Sequence, residues 1–93
     1  MLKIKDNVDL KELEKFGFSQ IGLPMFSTWF KNLDNNIFLS IDEKNSLYKH
    51  SEVISYKGHP KNWLDLGGNI YEEIETKEEY IQDLIQAGLV EKV

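Results

Sequence analysis

Two sets of helix punctuation bracket a middle segment whose apolar residues alternate, and this arrangement constrains the fold more than any other feature. Near the start, Asp9 stands as an N-cap and Glu12, three residues on, completes a capping box. Val8 and Leu13 occupy the two positions of a hydrophobic staple. Gly17 supplies the left-handed residue that ends the helix, and Phe18 can fold back on Leu13. These signals predict a short helix over Leu10–Phe16, with Leu10, Leu13 and Phe16 on its apolar face and Lys11, Glu14 and Lys15 in solvent. Near the end, Thr76 and Glu79 form a second capping box, and Tyr80, Ile81, Leu84 and Ile85 recur at helical spacing. Gly88 stops that helix, Leu89 can pack on Leu84, and residues 89–93 read as a terminal strand.

Between the helices the period becomes two. Met25 and Trp29 point one way while Phe26, Thr28 and Phe30 point the other. Residues 33–36 form a turn of types that tolerate positive φ. Ile37, Leu39 and Ile41 then alternate with Phe38, Ser40 and Asp42. A second turn at 43–46 precedes strand material at 47–50 and 53–57, and Gly58, His59 and Pro60 end it. Residues 61–69 are the least regular, one helical turn or a packed loop. The expected fold is α+β: an antiparallel β-meander of three to five short strands, covered by a short N-terminal helix and a C-terminal helix. A chain of 93 residues can bury roughly two-thirds of its unfolded surface, which suits one domain over 1–93. Hydrophobic residues at 41% and charged residues at 29% are globular values and argue against disorder.

Several chemistries are disfavoured. Without cysteine there are no disulfides, thiolate metal ligands or thiol nucleophile. His50 and His59 are nine apart with no spacing suited to zinc, and read as surface or turn residues. Ser19 lies between Gly17 and Gly22 in a segment one residue too long for a nucleophile elbow. Glu75, Lys77 and Asp65 match a metal-dependent nuclease pattern only loosely, and Gly67–Gly68 lacks the residues of a phosphate loop. No enzyme and no cofactor are expected. The chain has no arginine and its lysines are scattered, which argues against direct nucleic-acid binding beyond weak stacking on Trp29, Trp63 or Tyr56. The longest uncharged apolar stretch, 21–26, is too short to span a bilayer, and residues 1–6 lack a secretory core, so a cytoplasmic protein is expected.

The sharpest feature is acidic. Residues 65–83 hold seven acids and one lysine, a local charge of −6 against −5 for the whole chain. Glu72, Glu75, Glu79 and Asp83 line one stripe if the helix begins early, and Glu79 and Asp83 lie one turn apart if it begins at Thr76. A basic partner surface fits such a segment; so does a plain solvated helix whose acids favour its N-terminus.

Residues 3–18, reading Lys-Ile-Lys-Asp-Asn-Val-Asp-Leu-Lys-Glu-Leu-Glu-Lys-Phe-Gly-Phe, resemble small uncharacterised proteins of phages and prophages in low-GC Gram-positive bacteria. The closing residues 83–93, Asp-Leu-Ile-Gln-Ala-Gly-Leu-Val-Glu-Lys-Val, carry the same resemblance, and residues 25–69 do not. The resemblance implies a phage accessory protein acting in the host cytoplasm, with no catalytic residues to transfer. The resulting expectation is a non-enzymatic inhibitor of a host antiviral defence factor, in the manner of small acidic anti-CRISPR proteins. Glu72, Glu73, Glu75, Glu78, Glu79 and Asp83 would meet a basic host protein, with Trp63 as an aromatic anchor. The alternatives are a sponge for a nucleotide signal, built at a subunit interface of a homo-oligomer, and a phage accessory protein with no defence role.

Overall fold

The computed structural model describes residues 2–22, 27–42, 51–61 and 70–92. Seven strands occur among them: β1 Leu2–Ile4, β2 Ser19–Gly22, β3 Ser27–Leu33, β4 Ile37–Asp42, β5 Ser51–Lys57, β6 Glu72–Ile74 and β7 Val90–Lys92. All pairings are antiparallel, in the order β2-β3-β4-β5-β1-β7, and β6 also lies beside β5. The α+β class holds, but seven strands replace the three to five expected. β1, β2 and β6 were absent from that expectation because three or four residues are too few to display a period. They become strands through pairing: β1 takes Ser51 and Glu52 of β5, while β6 takes Ser55, Tyr56 and Lys57 along the same edge. The strand and turn expected at 43–50, the segment 62–69 and the side chains of Met25 and Phe26 fall outside the described residues.

The β3–β4 hairpin turns as its residues dictate. Asn35 and Asn36 sit at φ 68° and 58°, a left-handed pair that asparagine tolerates. The register then sets Trp29 opposite Ile41 and Asn32 opposite Phe38.

The first helix spans Leu10–Phe16 as expected, but as a 3₁₀ helix. Its apolar residues explain the form. Leu10, Leu13 and Phe16 recur every three positions, and only three residues per turn stacks such a set along one line. The Asp9 carboxylate accepts from Lys11 N–H at 3.0 Å, while the Glu12 carboxylate is engaged by Lys15 at 2.8 Å. At the other end, Phe18 N–H donates to Leu13 O and Gly17 N–H to Glu14 O, both at 3.2 Å. This is the Schellman pattern anticipated for Gly17.

The C-terminal helix is a composite: a 3₁₀ turn Glu78–Ile81 followed by an α-helix Gln82–Gln86, broken where Ile81 takes φ −127° and ψ 30°. Thr76 does not cap it. The N-cap is Lys77, with no side-chain bond, and the Thr76 hydroxyl donates to Val53 O at 3.2 Å and lies 2.8 Å from the buried Ser55 hydroxyl. Two partners on β5 outcompete one local amide, and they anchor the chain as it leaves β6. The end is closed by Leu89 N–H to Leu84 O at 3.1 Å and Gly88 N–H to Ile85 O at 3.0 Å. Gly88 sits at φ +76° with nothing within 4 Å of where a Cβ would stand. Gly88→Ala therefore costs backbone strain alone, about 1 kcal/mol. A chemical-denaturation midpoint unchanged from wild type would contradict this.

Both helices pack on one face of the sheet. Leu13, Ile81 and Leu84 meet Trp29, Leu39, Ile41, Val53, Leu2, Ile4 and Phe18 there, and Val8, Leu10, Phe16, Tyr80 and Ile85 close the margin. The alternate positions form the opposite face, where Phe30 and Phe38 are also buried. Lys3 lies on that face between Asp6 at 3.3 Å and Glu91 at 3.2 Å, and its side chain is only 7% exposed. The Glu91 bond is the main reason that its pKa is raised, and it ties β1 to β7.

Candidate functional site

The structure separates the acidic residues grouped by sequence. Glu72 and Glu73 belong to β6, so their side chains point to opposite faces of the sheet. Residues 75–77 belong to no regular element, and Glu78, Glu79 and Asp83 follow on the composite helix. A single helical stripe through Glu72, Glu75, Glu79 and Asp83 does not form, because pairing with β5 draws residues 72–74 into the sheet.

All six acids are exposed. Three have lysine counter-ions from other elements. Lys57, directly opposite on β5, is 3.6 Å from Glu72; Lys92 of β7 is 2.7 Å from Glu78; Lys31 of β3 is 3.4 Å from Asp83. Such exposed pairs contribute about 0–1 kcal/mol each, but they cancel local charge. Asp83 also accepts from the Leu84 amide at 2.8 Å, and Lys31 sits 5.7 Å from the Phe18 ring centroid. Glu73, Glu75 and Glu79 form no ion pair with any described residue. Among the described residues, three of these six carboxylates are therefore left without a counter-ion. Trp63, the expected aromatic anchor, and Asp65 fall outside the described residues.

The other candidates resolve as follows. Trp29 is fully buried against the helices, so it offers no stacking surface. His59 is exposed, and His50 lies outside the described residues. Among the described residues no group of three His, Asp or Glu side chains is arranged to hold a metal ion. A depression of about 270 Å³ lies where β1 meets the first helix, lined by Ile4, Lys5, Asp6, Val8, Asp9, Leu10 and Ser51. With two carboxylates against one lysine, it opposes a phosphate-bearing ligand. No helix among the described residues is long and apolar enough to cross a membrane.

One grouping was not visible in sequence. On the face away from the helices, Phe38 of β4, Tyr56 of β5 and Glu73 of β6 stand side by side in register. The Phe38 and Tyr56 rings stack with centroids 5.3 Å apart at 22°, and Tyr71 meets Phe38 edge-on at 4.8 Å and 80°. The Tyr56 hydroxyl is held above its ordinary pKa, first by burial and then by the charges of Glu73, Asp42 and Glu52. The period-two pattern placed Phe38 opposite to Leu39, but only the register shows which side chains flank it. No family model, no curated protein and no solved structure matches this chain.

Proposed function

We propose that this is a phage-encoded, non-enzymatic binding protein that inhibits a host defence factor by presenting an acidic surface to a basic protein. The observation that carries the reading is the set of exposed carboxylates at Glu73, Glu75 and Glu79, which lack a counter-ion among the described residues. Uncompensated charge steers an oppositely charged partner and accelerates encounter. The phage setting comes from the resemblance of residues 3–18 and 83–93. The cytoplasm of the infected bacterium is the corresponding place of action. A nucleotide sponge is the weaker reading, since the depression beside β1 is lined by more acid than base.

Affinity capture from a phage-infected host, with mass spectrometry of bound proteins and small molecules, tests the reading. The expected result is a protein with a basic surface, retained at low salt and depleted when Glu75→Lys and Glu79→Lys are combined. Glu79 takes no part in a cap with Thr76, so its reversal leaves that anchor intact. Recovery of a small molecule alone, or of the same proteins with the charge-reversed bait, contradicts it.

A further inference from the structure

The aromatic group on the helix-free face is shaped like a corner. Phe38, 2% exposed, lies at its base. Tyr56 stacks nearly parallel over Phe38 and Tyr71 stands edge-on to it, both half-buried. Tyr71 reaches Phe38 across Gly58, where a Cβ would come within 2.6 Å of the Tyr71 ring. Gly58 is held in place as its N–H donates to Asn36 O at 2.8 Å, and nearby Asn32 Nδ2 donates to Pro60 O at 2.6 Å. Stacking on Phe38 occupies one face of the Tyr56 ring. The strand register sets Glu73 on the side of the other face.

We propose that this corner receives the guanidinium group of an arginine carried by the basic partner. An aromatic face attracts a cation through its quadrupole, and a carboxylate beside it adds a directional ion pair. Arginine suits the pair of features better than lysine, because its planar group stacks on a ring while its N–H fork meets a carboxylate. An anion is opposed by Glu73, Glu52 and Asp42, which share this sheet face. A neutral group leaves Glu73 without a counter-charge. The proposal rests on reading the chain as a binder of a basic protein, and it adds a contact on the sheet to the acids around the helix.

The test needs no identified partner. The intact protein, labelled with ¹³C in its tyrosine rings, is titrated with Nα-acetyl-arginine N-methylamide while the ring resonances are followed by NMR. The blocked citrulline, a neutral isostere, serves as control at matched ionic strength. The expected result is a saturable shift of Tyr56 with the arginine derivative and none with citrulline. Glu73→Gln, a change at an exposed position, is expected to weaken binding roughly three- to five-fold. Equal shifts with arginine and citrulline, or unchanged affinity in Glu73→Gln, overturn the proposal. Choline is run alongside, and tighter binding of choline than of the arginine derivative also overturns it, because the corner would then suit a free quaternary ammonium ligand. Failure of this titration leaves the helix carboxylates to be judged by the capture experiment. A positive titration with an unaffected capture sinks the helix reading alone.

Discussion

Trp29→Ala is expected to lower stability by about 3–5 kcal/mol, the range for emptying a large aromatic site in a core. Trp29 is fully buried, faces both helices and is paired across the sheet with Ile41 and Gln20. Domains of this kind are stable by about 5–15 kcal/mol in total, so the variant loses a large part of its margin. Each kcal/mol moves the melting temperature of a domain this small by about 4–8 °C, so the shift is easily read by calorimetry. Trp29→Phe separates packing from polarity. The Trp29 Nε1 is buried with no hydrogen-bond partner among the described residues, and a buried donor left unpaired penalises the folded state. Phenylalanine loses volume but removes that orphaned donor, so its cost is expected to be clearly less than half that of alanine. Equal destabilisation by the two variants would show that the indole nitrogen is satisfied in solution. A cost below about 1 kcal/mol for Trp29→Ala would contradict its place at the centre of the core.

The second large effect is expected at Gly58. Its φ of +147° is one that L side chains rarely adopt, and a Cβ would stand 2.6 Å from Tyr71 Cδ1 and 3.3 Å from Phe38 Cε1. Gly58→Ala therefore combines backbone strain with overpacking, which typically costs about 1–3 kcal/mol by itself. Relief of that clash requires the Tyr71 ring to shift against Phe38. Two signals should change together: a lowered denaturation midpoint and loss of the ring-current shifts that the T-shaped contact imposes on Tyr71. The Trp29 core lies on the other face and should keep its fluorescence. A stable variant with unchanged tyrosine resonances would show that the corner is not built as described.

The contrast between these two sites also marks what could be read from the sequence. The helix at Leu10–Phe16 was legible because its signals are local: an Asp9 cap, a three-residue apolar spacing and a glycine stop. Alternation in β3 and β4 set Trp29 apart from Phe30, and Leu39 and Ile41 apart from Phe38, for similar reasons, although it did not mark Trp29 as core. Thr76 misled because a hydroxyl three residues before a glutamate is locally a cap, whereas Ser55 and Val53 O reach it only after the chain has folded. β1 and β6 owe their strand form to β5, so three residues such as Glu72–Ile74 carry no independent signal. The same limit applies to the acids. Lys57, Lys92 and Lys31 are distant in sequence from Glu72, Glu78 and Asp83, so neutralisation of half the segment was invisible. The aromatic corner required a register, a glycine and a turn, none of which a periodicity conveys.

The most direct test of the binding reading is the association rate of the captured partner against ionic strength, for wild type and for the variant combining Glu75→Lys with Glu79→Lys. Screening shortens the reach of exposed charge from about 10 Å at 0.1 M salt to about 3 Å at 1 M. If exposed carboxylates steer encounter, the wild-type rate falls steeply with salt. The variant starts slower, depends less on salt and converges on wild type at high salt, with dissociation changing less than association. Two superimposed flat lines would mean that these carboxylates belong to a solvated helix and the segment before it, and would contradict recognition through an acidic surface.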